Sequence, residues 1–290
     1  MASRLVEIGE RLRAYRTGAG LSADELGEKL NISRATVYRL ESSGIGRIDT
    51  LGRVAALLNV SLETLLGVGV EYVPSALAYF ERLRQIEAEA DQMFVVFGPL
   101  IYLLTSPAYD EVLRNSLLAQ AASSPGAKRP ARTVEDLMKT LAARKAQYAL
   151  RRPAVTNVLS MPELARFAQF GLVDASAPTE LLAQNRAMAR DELRRVAGML
   201  VNPQLGVQIG VLFDELPTTS FSVIRRRAGS VALTSPFRLG PTPNIWRGVG
   251  MISQAPDSVR LHTSWARDLW SEVMTGERAA DYITRRLLQD

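Results

Sequence analysis

Between Ser22 and Ser33 the chain starts a helix, stops it and starts another, and this stretch constrains the fold more tightly than any other. Ser22 is followed three positions later by Glu25, the pairing in which a serine hydroxyl caps the first turn while the glutamate reaches back to the serine amide. Leu26 and Leu30 supply the apolar stripe, so this helix is short. Asn31 suits a tight turn, Ile32 can plug a core between helices, and Ser33 caps a further helix running to about Ser42. Two short helices therefore meet through a tight turn.

The flanking residues extend this into a small helical domain. Leu5, Ile8, Leu12 and Tyr15 recur at three- and four-residue steps and predict a first helix ending near Gly18-Ala19-Gly20. On the third helix Val37 and Leu40 face inward, while Arg34, Ala35, Tyr38 and Arg39 point outward. Leu51, Val54, Ala55 and Leu58 form a fourth stripe. Leu62, Leu65 and Leu66, capped by Ser61, form a fifth that closes the domain near Gly67. Residues 1–70 carry nine Lys/Arg against eight Asp/Glu, so bulk charge does not make this domain a general polyanion binder. Any affinity for a polyanion must come from where individual arginines sit.

These residues carry a resemblance. Gly20-Leu21-Ser22, Glu25-Leu26, Leu30-Asn31-Ile32-Ser33, Thr36-Val37, Leu40-Glu41 and Leu57-Leu58-Asn59-Val60-Ser61 resemble the Cro/CI (XRE) helix-turn-helix family over about residues 5–67. The resemblance implies a lambda-repressor-like five-helix domain whose third helix lies in the major groove of double-stranded DNA. By that likeness Arg34, Ala35, Tyr38 and Arg39 are the base-contacting residues. Ser22, Ser33, Thr36 and Arg47 are the phosphate contacts, and Arg16 and Glu41 form a structural ion pair tying the first helix to the third. The chemistry agrees, since a guanidinium fork suits guanine O6 and N7 and a small Ala35 can approach a thymine methyl. The chain departs from the family at Ala23, where relatives commonly carry a phosphate-gripping glutamine. That shifts the burden to Ser22, Arg47 or a second subunit.

The rest reads as a larger α+β domain with a small antiparallel sheet, divided as residues 1–70, a connector helix within 71–92 and a domain over 93–290. Pro74-Ser75 opens the connector. Met93 to Phe97 predicts a buried strand stopped by Gly98-Pro99, and Ser106-Pro107 a helix through Ala119. Ala121 to Arg132 reads as a loop, Val134 to Leu150 as a helix, and the stretch holding Pro153, Pro162 and Pro178 as irregular. A helix over Thr179–Val201 precedes a strand over Val207–Phe213 and a hairpin of Phe221–Arg227 with Ser230–Phe237, turned at Ala228-Gly229. A strand over Trp246–Ser253 and helices over Pro256–Met274 and Glu277–Gln289 complete the order. No glycine-rich phosphate loop points to a dinucleotide fold. The layout is similar to an effector-like domain of unknown function that follows the same helix-turn-helix in many bacterial regulators, and it transfers no functional residue.

Composition narrows the chemistry. Hydrophobic residues make up 47% and charged residues 22%, so most of the chain should fold. There is no cysteine and one histidine, His262, which excludes thiolate metal sites and disulfides; neither a metal nor a cofactor is expected. The longest apolar run, Met93 to Leu104, is too short to span a bilayer, and the N-terminus lacks a signal-peptide core, so a cytoplasmic protein is expected. His262 beside Asp257 builds no triad by proximity alone, and Asp214-Glu215 reads as a solvated turn. Tyr102, Tyr109, Phe221, Phe237, Trp246, Trp265 and Trp270 read as core rather than a ligand pocket. Lys139, Arg144 and Lys145 read as a solvated face rather than a DNA-flanking one. Arg225-Arg226-Arg227 reads as an exposed edge guarded by charge, ahead of a site for an acidic partner.

The leading reading is a non-enzymatic, sequence-specific transcriptional regulator that binds DNA as a homodimer. RNA polymerase and a small-molecule effector remain open as further partners. The competing readings are an interaction protein of the antitoxin or phage-regulator type and a DNA-targeted enzyme with its activity in the C-terminal domain.

Overall fold

A computed structural model describes residues 2–44, 47–96, 100–123, 130–214 and 220–289. Five helices come first: α1 (Ala2–Gly18), α2 (Ala23–Leu30), α3 (Arg34–Ser43), α4 (Ile48–Leu58) and α5 (Leu62–Leu66). Their boundaries follow the local signals. The Ser22 hydroxyl accepts from the Glu25 amide and the Glu25 carboxylate accepts from the Ser22 amide at 2.6 Å. Asn31 takes the left-handed conformation at φ 57°, and the Ser33 and Ser61 hydroxyls accept from the Thr36 and Thr64 amides. Leu12, Leu26, Val37, Val54 and Leu65 are fully buried where the five stripes converge. One contact was not signalled by periodicity: α1 crosses α3 at Gly9, where a β-carbon would collide with the Glu41 backbone carbonyl.

The remaining elements are β1 (Val70–Val73), α6 (Ala76–Ala88), β2 (Ala90–Val96), α7 (Pro107–Ala122), α8 (Ala131–Arg151), β3 (Ala154–Ser160) and α9 (Met161–Phe170). They continue through α10 (Thr179–Val201), β4 (Val207–Leu212), β5 (Ser220–Arg226), β6 (Val231–Ser235), β7 (Gly250–Ser253), α11 (Pro256–Glu272) and α12 (Gly276–Leu287). This is the α+β architecture expected. Its sheet is neither small nor purely antiparallel: seven strands run in the order β1-β7-β6-β5-β2-β3-β4, and β2, β3 and β4 pair in parallel.

The difference traces to two strands. β3, Ala154 to Ser160, lies in the stretch read as irregular; it is an interior parallel strand covered on both faces, so it shows no alternation. Its buried Asn157 blurs the pattern further, yet that side chain donates to the Val95 carbonyl at 3.0 Å and accepts from the Ile101 amide at 2.8 Å. β1 has only four residues and takes its meaning from pairing with β7, Tyr72 opposite Met251. The hairpin of β5 and β6 forms as read, with Ile224 opposite Val231. The strand expected over Trp246–Ser253 shortens to β7. Phe97-Gly98-Pro99 and 124–129, part of the stretch read as a loop, lie outside the described residues.

The segment read as a connector does more than connect. β1 joins the sheet edge, and α6 packs along α1 on one side and along α8 on the other. At their meeting point the buried Glu71 carboxylate accepts from Arg82 Nε at 2.7 Å and Nη2 at 3.0 Å, from Arg11 Nε at 3.2 Å and from the Tyr15 hydroxyl at 3.1 Å. Gln85 ties α6 to the Glu10 carbonyl at 2.9 Å. Gly67 at the end of α5 (φ 68°) has no side chain to obstruct the Arg11 guanidinium. The helical domain is thus fixed to the sheet by buried polar contacts as well as apolar ones.

Candidate nucleic-acid interface

The third helix is held from beneath and left open above. Val37 is fully buried and Leu40 is partly buried, while Arg34, Ala35, Tyr38 and Arg39 are all exposed on the outer face. No part of the described chain covers that face. Beneath it, Arg16 of α1 grips Glu41 of α3 through Nε at 2.5 Å and Nη2 at 3.2 Å, and donates to the Leu21 carbonyl at 2.7 Å. Arg16 and Glu41 therefore stand where the resemblance placed them, as a largely buried clamp between α1, the entry to α2, and α3.

The exposed arginines differ in how they are held. Arg34 lies 3.3 Å from the Asp24 carboxylate of α2, donates to the Tyr38 hydroxyl at 3.2 Å and places its guanidinium 5.4 Å from the Tyr38 ring centre. The Tyr38 hydrogen bond, then the Asp24 charge, raises the Arg34 pKa further, so it stays a cation. Arg39 and Arg47 make no ion pair among the described residues; Arg47 occupies the N-cap position of α4 with its side chain in solvent. Salt bridges at such exposure contribute little, so Arg34 can exchange Asp24 for another partner at small cost.

The hydroxyl residues serve the helices first. Ser22 completes its capping box, and its backbone amide, then its hydroxyl, hold the Glu25 carboxyl below the usual range. Ser33 caps α3 and sits 2.9 Å from the Thr36 hydroxyl. Both serines remain exposed beside the first turn of their helices, where amides not bonded within the helix give a partial positive charge. Ala23, the point of departure from the family pattern, is buried and fills part of the core.

Other residues singled out from sequence are placed elsewhere. Arg144 is buried and pairs with Glu87, while Lys145 binds Asp110 at 2.7 Å; neither is on the solvated face expected for the basic helix. Helical periodicity could not show this, because the partners come from α6 and α7. β5 is an interior strand, so Arg225-Arg226-Arg227 do not guard an edge. Arg226 turns inward toward Glu89 at 3.3 Å and its two neighbours turn outward. His262 Nδ1 lies 2.7 Å from the Ser258 carbonyl of its own helix, its ring packs on Phe221, and Asp257 pairs with Arg260. Asp214 is exposed, and Glu215 lies outside the described residues. Trp270 packs on Phe94 and Trp265 on Phe221, whereas Tyr102, Tyr109 and Phe237 line a cavity in the α+β domain.

Residues 7–65 match a family model described as a helix-turn-helix domain, which agrees in extent with helices α1 to α5. No curated protein matches the chain. Among solved structures, that of TrmBL2, described as an archaeal chromatin protein with a novel mode of DNA binding, is 10% identical. It aligns over 94% of this chain and 99% of that one at a TM-score of 0.34. No helix among the described residues is long and apolar enough to cross a membrane. The N-terminal region is a helix-turn-helix domain followed by an α+β domain built on a seven-stranded mixed sheet.

Proposed function

We propose that the chain is a cytoplasmic transcriptional regulator that reads a particular DNA sequence by setting α3 in the major groove. One observation carries the reading: Arg34, Ala35, Tyr38 and Arg39 share an uncovered face of a helix whose opposite side is clamped by Val37 and the Arg16–Glu41 pair. In this reading guanidinium forks on a rigid helix supply hydrogen bonds to guanine edges, and Ser22, Ser33, Thr36 and Arg47 serve as the phosphate partners. A domain of this size buries little surface on DNA. Two copies acting on half-sites about 34 Å apart supply the rest of the affinity, so the working form is a homodimer. The protein acts by binding rather than by catalysis, which fits the engagement of His262 and Asp257 with their own helix.

The test is a fluorescence-anisotropy titration of the full chain and of the double variant Arg34→Ala/Arg39→Ala. The duplexes are one enriched by selection from random sequence and one scrambled, both at physiological salt. Each arginine that contacts a base should contribute about tenfold to the preference for the enriched duplex. Equal preference in the variant and the parent would end the reading. Sedimentation showing one copy on the enriched duplex would remove the dimer.

A further inference from the structure

Behind the sheet face opposite α11, the α+β domain holds a partly open cavity of about 400 Å³, within the size range of small-molecule sites. Much of its wall is apolar and aromatic, from Tyr79, Phe80 and Leu83 of α6, Met93 and Ile224 of the sheet and Phe237, while Ser160, Ser220, Ser222, Glu163, Arg166 and Arg238 also line it. The six apolar and aromatic residues are buried, so this part of the space is bounded by fixed side chains, while the exposed Pro162, Arg166 and Arg238 lie where it opens to solvent.

Two lining groups carry a buried polar atom without a hydrogen-bond partner among the described residues. Arg144 is 4% exposed, and its Nε and Nη2 are engaged by Glu87 at 2.9 and 2.7 Å, but its Nη1 has no hydrogen-bond partner among the described residues. The Tyr102 hydroxyl is likewise buried without one. The two are neighbours, the Arg144 guanidinium carbon lying 5.8 Å from the Tyr102 ring centre. Burial, then the charge of Asp110 and the approach of its carboxylate to the hydroxyl, pushes the Tyr102 phenol well above its ordinary range, so it keeps its proton; by geometry the contact with Asp110 falls short of a hydrogen bond. Unmatched buried donors are unfavourable, and two of them on one cavity mark the place for an acceptor.

Charge decides which acceptor. Arg144 is neutralised by Glu87 and the nearby Lys145 by Asp110, so the buried end beside Arg144 offers N–H and O–H groups without a net positive charge; the other charged lining residues are Glu163 and the solvent-exposed Arg166 and Arg238. A carboxylate buried there would lose its hydration against an already balanced pair. A carbonyl oxygen would not. We propose that this cavity binds a small uncharged organic molecule whose ring-sized apolar body fills the aromatic chamber and whose carbonyl-type oxygen accepts from Arg144 Nη1 and the Tyr102 hydroxyl. The site lies apart from the DNA-facing helix and does not depend on the function proposed for it.

The experiment is isothermal titration calorimetry of the full chain with two probes of matched size, 2-acetylnaphthalene and 2-naphthoate. The ketone should bind saturably at one per chain and at least about tenfold tighter than the carboxylate. Tyr102→Phe, which removes one oxygen and preserves the packing, should weaken the ketone about fivefold, the worth of one hydrogen bond. Ile224→Trp, checked for an unchanged far-ultraviolet circular dichroism spectrum, should abolish binding by filling the chamber; if it misfolds, Tyr102→Phe alone decides. Absence of saturable ketone binding, equal or tighter binding of the naphthoate, or an unchanged ketone affinity in Tyr102→Phe would each overturn the proposal.

Discussion

Arg34 and Arg82 carry the same guanidinium and live in opposite surroundings. Arg34 stands on α3 with more than half its side chain exposed, paired to an Asp24 that is equally exposed. Arg82 on α6 is almost wholly enclosed and shares the Glu71 carboxylate with Arg11 and Tyr15. In water the first pair is weakly coupled and readily exchanged for a nucleic-acid partner. In the interior the second cannot be parted without leaving a charge stranded, so it works as a fastener between α1, β1 and α6. A net charge of +5 distinguishes neither role. What distinguishes them is which elements close over the side chain.

This contrast can be broken by substitution. The largest effect is expected at the fastener: Glu71→Gln leaves Arg11 and Arg82 facing a neutral amide in a closed site and should cost about 3–5 kcal/mol in urea unfolding. Burial alone would raise the Glu71 pKa, but the Arg82 charge and hydrogen bonds, then Arg11, hold it below its ordinary 4.5. A depressed folded-state value means that this carboxylate contributes stability above pH 4.5 and loses it as the pH falls toward the folded value. The Glu71→Gln variant should therefore show a flatter acid limb than the parent. Unchanged stability and an unchanged acid limb would mean that the seam is held by apolar contacts alone.

An intermediate effect is expected at the clamp beneath α3. Arg16→Ala removes two charged hydrogen bonds to Glu41 at a site that is mostly buried, and should lower stability by about 1.5–3 kcal/mol. If Arg16 is structural, the sequence preference of the protein that remains folded should persist while Arg34→Ala/Arg39→Ala loses it. Identical loss in the two variants would erase the distinction between exposed and enclosed arginines on this domain. The smallest effect is expected from the cap: Ser22→Ala should cost about 1 kcal/mol, read as a shift in the urea midpoint, with 2-acetylnaphthalene binding unchanged.

Much of the helical domain was legible because its signals are local. Ser22 with Glu25, Asn31, Ser33 and Ser61 each act within four residues, and the apolar stripes repeat within one helix. The outward set on α3 followed from the same periodicity, and the resemblance supplied its role. The hairpin of β5 and β6 was legible for the same reason, through its turn at Ala228-Gly229. β3 was hidden because a strand covered on both faces loses its alternation, and β1 because four residues gain meaning only from pairing with β7. The Arg144–Glu87 pair spans 57 residues and the Arg11–Glu71 pair 60, separations over which no periodicity operates.

By itself, then, the sequence determined where helices begin and end in the first seventy residues and which side chains of α3 face away from their core, since short-range hydrogen bonds and stripe geometry are encoded within a turn or two. Only the tertiary structure decided which arginines stay in water and which are enclosed, that the segment after Gly67 fastens two domains together, and that Tyr102, Phe237 and Arg144 meet around a cavity. Those outcomes depend on the packing of α6 against the sheet and of α8 against α6 and α7, which brings together groups that the chain itself keeps far apart.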